Sequence, residues 1–229
     1  MSNKPKKRGD QKALELKMAR KTRITETISL LPPRTMIFCE GTKTEPNYLR
    51  ELVELINARC RIFAMDNRIK LSDHIEIIGS ARSTTSLFSY AVNNTVSGTR
   101  EVWLVYDHDD FPAEQFNVTP ELAKKQSKKS GIHYRVAWSN ECFELWLLLH
   151  FILLESNISR ADYMEKLVGY IPSYHKSATD IFSRLKDRVG TAIKNAKTIE
   201  GKFDVNATPS EMAPCTQVYR LVEELLRYV

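Results

Sequence analysis

The chain has 229 residues, 42% of them hydrophobic and 27% charged, which is enough to bury a full core and ordinary for a globular protein. That composition excludes collagen-like, generally disordered and disulfide-scaffold classes. The formal charge of +6 is uneven: residues 1–34 carry ten Lys or Arg against Asp10, Glu15 and Glu26, a net of +7 that leaves −1 for the remaining 195 residues.

Residues 1–34 read as a mobile basic arm with some helical propensity, closed by Pro32-Pro33, which would end any helix there. Lys4, Lys6, Lys7 and Arg8 are candidate contacts to nucleic-acid phosphates, although such a run also suits an acidic partner or a solvated extension. The cysteines, Cys39, Cys60, Cys142 and Cys215, form no CxxC pair, so zinc is not expected and reduced packing thiols are. The longest apolar run, Leu145 to Leu154, is interrupted by His150 and too short to span a bilayer. With no apolar leader segment either, a cytoplasmic protein without a membrane partner is expected.

Folded structure is predicted from Thr35. Met36–Cys39 is a strand candidate, and Glu45–Arg61 an amphipathic helix with Pro46 in its first turn. A strand at His74–Ile78 follows, ended by Gly79, then a helix over Ser83–Val96. Glu101–Tyr106, "EVWLVY", is β-branched, aromatic and almost continuously apolar, as a strand covered on both faces would be. A helix from Pro120 to Lys129 and a strand from Ile132 to Trp138 complete an alternating pattern. Residues 35–139 therefore predict an α/β core with a mostly parallel sheet flanked by helices. Residues 140–229 predict a helical C-terminal extension, with helices at Glu141–Leu154, Arg160–Val168, Ser177–Lys197 and Thr216–Arg227.

In an open parallel sheet, ligands gather outside the carboxyl ends of the strands. Glu40 ends the first strand there, and Asp107 and Asp109 follow "EVWLVY". If the segment stays extended, alternation points Asp107 and Asp109 the same way and turns His108 aside. Three such carboxylates would repel one another unless a cation lay among them, and oxygen donors suit Mg²⁺ or Mn²⁺. The plainer alternatives are a turn and helix cap for the Asp-x-Asp and a solvated loop for the Glu. Glu144 lies in an apolar helix, where a carboxylate is costly unless paired or metal-bound, though it could face solvent in a first turn. Ser139 and Asn140 could contact phosphate or cap the next helix. His150 reads as a hydrogen-bonded core residue. There is no GxSxG elbow, P-loop or dinucleotide fingerprint.

"IFCEGTKTEPNYL" with "LVYDHDD" resembles the Toprim pattern, a Glu-Gly after one strand and an Asp-x-Asp after a later one. More closely, "FCEGTKTEPNYL", "SNECFELWLLLHF", "YHK" and "APCTQVYRLVEEL" resemble the RloB-like family, which includes AbiLii of phage abortive-infection systems. Ser139-Asn140-Glu141 departs from that family's Ser-Asn-Pro. The resemblance implies a Toprim-like core in which Glu40, Asp107 and Asp109 hold Mg²⁺ or Mn²⁺, with Glu45 as a further ligand; Glu144 joins them as a candidate on the cost of its apolar surroundings. Glu45 lies one residue farther along than the second acid of the nuclease pattern. The resemblance also implies that Lys176 stabilises charge on the phosphate. It points to an antiphage endonuclease acting on RNA, such as tRNA, in preference to DNA, and controlled by a separately encoded ABC- or AAA-type ATPase. The alternative is a non-catalytic metal-binding or interaction module of the same system.

Overall fold

A computed structural model of the chain describes residues 12–19, 32–64, 74–109 and 112–228. The candidate phosphate contacts Lys4, Lys6, Lys7 and Arg8 lie outside them. Residues 12–19 form a helix (α1), exposed along its length.

Five strands make one sheet in the order β2-β1-β3-β4-β5: β1 Thr35–Cys39, β2 Ile75–Gly79, β3 Glu101–Asp107, β4 His133–Asn140 and β5 Cys215–Thr216. The first four are parallel, and β5 runs antiparallel to β4. The helices are α2 Thr44–Ala64, α3 Thr84–Asn94, α4 Ala113–Ser130, α5 Glu144–Leu148, α6 Arg160–Tyr170, α7 Ile181–Leu185, α8 Val189–Glu200 and α9 Val218–Leu226. None of the described helices is long and apolar enough to cross a membrane.

Every residue of β1 and β3 is buried, which requires cover on both faces and accounts for their unbroken apolar character. Strand alternation divides that cover. Phe38 meets Tyr90 of α3, and Tyr106 and Trp138 meet Phe116 of α4 on one face. On the other, Tyr48 of α2 packs edge-on against Phe143, Trp146 and Phe182. Asp107, next to Tyr106, points to this second face. Cys39, Cys142 and Cys215 are buried free thiols, as packing residues should be.

Several elements differ from the sequence reading. Helix α4 begins near Ala113, a full two turns before Pro120, which sits inside it. Its buried residues Phe116, Thr119 and Ala123 continue the apolar face across the proline, so tertiary burial outweighs the lost hydrogen bond. The helix expected over Glu141–Leu154 is only the five residues of α5 followed by turns. The amide of Asn195 donates to the Leu149 carbonyl at 2.8 Å, occupying the acceptor that a continuing helix would use. The long helix expected over Ser177–Lys197 is divided into α7, a 3₁₀ turn at Lys186–Arg188, and α8. The C-terminal part is not purely helical, because β5 adds two residues to the sheet, too few for any alternation to show.

A candidate metal and phosphate site at the ends of β1 and β3

Strand β1 has β2 on one side and β3 on the other, so the chain reverses its direction of travel across the sheet between β1 and β3. At such a point the loops leaving two adjacent parallel strands diverge and open a crevice at their carboxyl ends. Here the crevice is a cleft of ≈ 320 Å³. Five acids line it, Glu40, Glu45, Asp107, Asp109 and Glu144, with the bases Lys43, Arg160 and Lys176. The structure thus brings Glu40, Glu45, Asp107, Asp109, Glu144 and Lys176 together.

Glu40 follows β1, and its N–H still donates to the Val105 carbonyl of β3 at 2.8 Å. Its carboxylate accepts from the Asp107 N–H at 3.2 Å, locking the ends of the two strands together. Asp107 is 6% exposed; Oδ2 accepts from the Phe143 N–H at 3.1 Å, while Oδ1 is buried without a hydrogen-bond partner. Burial therefore pushes the Asp107 carboxyl well above its ordinary range, and the charges of Glu45, Asp109, Glu144 and Glu40 push it the same way. Burial also raises Glu40, from 4.5 to about 7, with Asp109 and Glu45 adding to the effect and the Asp107 N–H opposing it.

Asp109 reaches the cleft differently from the expectation. The strand stops at Asp107, and Asp109 sits in a turn at φ 41°, a left-handed conformation that Asp tolerates better than most residues. Its N–H donates to the Glu141 carbonyl at 3.2 Å, and its carboxylate is 2.6 Å from the Arg160 guanidinium. His108 does turn aside, its ring centroid 4.6 Å from that of Phe116.

Glu45 folds back over its own turn, accepting from the Gly41 N–H at 3.1 Å. A Cβ on residue 41 would lie 2.2 Å from Glu45 Oε2, so the glycine makes room for this carboxylate. At Gly79 a Cβ would lie 2.8 Å from Gly41 O and from the Thr42 Cα, which shows how closely the 41–42 turn crosses the end of β2. Burial, above the other influences, raises the Glu45 carboxyl.

Glu144 does not face solvent: it is 2% exposed and 3.2 Å from Lys176 Nζ. The Lys176 loop is held over the cleft by α2, where the Thr44 hydroxyl donates to the Lys176 carbonyl at 2.8 Å and the Asn47 amide donates to the Ala178 carbonyl at 3.2 Å.

Ser139 and Asn140 do not line the cleft and are corrected on both expected roles. Ser139 is fully buried and hydrogen-bonded to the Thr216 hydroxyl at 3.0 Å. The Asn140 amide donates to the Pro209 and Ser210 carbonyls, each at 3.1 Å. Neither caps α5, which has Phe143 at its N-cap and no side-chain cap. His150 is the core histidine expected, against the Trp146 carbonyl and the Tyr48 hydroxyl, with its pKa lowered by burial to about 4.

Lys43 and Arg160 were not anticipated. Arg160 follows Ser159, which forms a capping box with Asp162, so it occupies the first turn of α6. A cation there opposes the helix dipole, the one local hint that it serves a tertiary purpose.

The site's chemistry suits a hard divalent ion: its acids offer oxygen donors, Asp107 Oδ1 is an unmatched acceptor, and burial already disfavours the ionised carboxyls. Yet among the described residues no three His, Cys, Asp or Glu side chains stand ready to hold an ion together. Three of the acids have other partners: Asp109 is turned to Arg160, Glu144 to Lys176 and Glu45 to Gly41.

The family model for RloB-like protein matches residues 35–225. The chain belongs to the RloB-like family. The match takes in the whole sheet, the cleft and all but the last residue of α9, and begins where the basic N-terminal segment ends. No curated protein and no solved structure gives a significant match to this RloB-like chain.

Proposed function

We propose that this RloB-like protein is a metal-dependent endonuclease that hydrolyses phosphodiester bonds, RNA such as tRNA before DNA, as the effector of an antiphage abortive-infection system. The observation that carries the reading is Asp107: a buried carboxylate with one oxygen unmatched, flanked by Glu40 and Asp109 at the ends of adjacent parallel strands. Glu40, Asp107 and Asp109 would hold Mg²⁺ or Mn²⁺, with Glu144 within the same cleft. When bound, such an ion lowers the pKa of water and polarises the phosphoryl oxygens. Lys176, anchored through its backbone to α2, presents an ammonium to a non-bridging oxygen, and Lys43 adds charge at the rim. Glu45, which also lines the cleft, fixes the 41–45 turn next to Glu40 and would offer the ion a further oxygen. The Toprim-like arrangement of Glu-Gly and Asp-x-Asp supports the nuclease class, and the RNA preference and the ATPase partner follow from the family resemblance.

The test is incubation of the protein with labelled RNA and DNA plus Mg²⁺ or Mn²⁺, with and without its neighbouring ATPase, alongside Asp107→Ala and Glu40→Ala. Metal-dependent cleavage abolished by both substitutions supports the reading. Cleavage that survives both contradicts it.

A second reading, a non-catalytic interaction module, draws on the ion pairs that already occupy Asp109 and Glu144. It predicts no cleavage under any of these conditions.

A further inference from the structure

The Asp109–Arg160 pair is the shortest link between an acid and a base in the cleft, at 2.6 Å against 3.2 Å for Glu144–Lys176. Its two members are held in place independently. Asp109 is positioned by its backbone, through the turn at φ 41° and the N–H to the Glu141 carbonyl. Arg160 is positioned by the Ser159–Asp162 capping box, and its side chain is 41% exposed. Breaking this pair therefore leaves both backbones where they are, and the freed guanidinium presents a planar fork of donors that matches a phosphate. The Glu144–Lys176 pair is different, because Glu144 is buried and loses its counter-charge if Lys176 leaves.

We propose that Arg160 is a phosphate-positioning residue held in reserve by Asp109: a divalent ion taking Asp109 releases the guanidinium to a phosphate oxygen of the nucleic acid. This rests on the metal-dependent nuclease reading above. Metal and guanidinium compete for one carboxylate while both attract the same phosphodiester. Metal binding thus strengthens nucleic-acid binding, and by linkage the reverse holds to the same extent. Without metal, Asp109 occupies the guanidinium, which keeps the protein from gripping nucleic acid through Arg160.

The experiment is calorimetric titration of Mn²⁺ into the full chain, wild type, Arg160→Gln and Arg160→Met, with thermal unfolding to establish that each variant is folded. Removing the competing cation should tighten Mn²⁺ binding by roughly 1.5- to fivefold, the range expected of a partly exposed charge pair. A merely structural role would weaken it. The affinity for a labelled single-stranded RNA oligonucleotide is then measured with and without Ca²⁺, its integrity checked on a gel. The wild type should bind more tightly with Ca²⁺, and both variants should lose that enhancement. Wild-type Mn²⁺ binding with unchanged or weakened binding in the folded variants overturns this inference and leaves the nuclease reading standing. No Mn²⁺ binding by the wild type overturns both.

Discussion

Replacing Glu40 by Gln tests the electrostatics of the cleft without any assay of catalysis. Gln keeps an oxygen to accept from the Asp107 N–H, so the link between the ends of β1 and β3 survives, and only the ionisable group is removed. Burial raises the Glu40 carboxyl from 4.5 to about 7. The folded protein therefore holds this proton more tightly than the unfolded chain does. The resulting stability is fully present below about pH 4.5 and is lost as pH rises through about 7. That interval corresponds to about 3 kcal/mol, an upper figure because Glu40 is only partly buried. Urea unfolding of metal-free wild type and Glu40→Gln, at about pH 5 and about pH 8, reads this directly. The wild type should lose up to about 3 kcal/mol more than the variant between the two conditions. Saturating Mn²⁺ should narrow that gap, since an ion favours the charged form. Equal losses in the two proteins would refute the claim that Glu40 is forced into a site hostile to its charge.

Two further perturbations probe how the cleft is built. Gly79→Ala should destabilise more than Gly41→Ala, each within about 1–3 kcal/mol, because the new methyl at 79 meets backbone at 2.8 Å whereas that at 41 meets the end of the Glu45 side chain; denaturation midpoints compare them, and the opposite order would contradict the packing described. Ser127→Ala should cost about 1–3 kcal/mol, because Ser127 Oγ accepts from the Tyr134 N–H at 2.7 Å on the side of β4 away from β3; an unchanged midpoint would show that this amide finds another partner.

Glu40 and Asp107 were legible because they end strands whose apolar runs admit only a buried parallel sheet, and strand ends are where such sheets leave polar groups. Asp109 was legible in place but not in cause, since a turn and not strand alternation aims it. Ser139 and Asn140 misled because their partners, Thr216 and the Pro209–Ser210 carbonyls, come from nearly seventy or more residues away. No local pattern announces a two-residue strand such as β5. Arg160 looked like any surface arginine at a helix start, and only the packing of α6 against α5 reveals that it faces Asp109. The early start of α4 was hidden by Pro120, a strong local signal overruled by the burial of Phe116.

The most direct measurement is a crystal of the full chain soaked in Mn²⁺, with the ion located by its anomalous scattering. A peak within about 2–2.5 Å of oxygens from Glu40, Asp107 and Asp109 is the predicted result. Saturated crystals with no peak in this cleft, and Asp109 still on Arg160, would contradict the account.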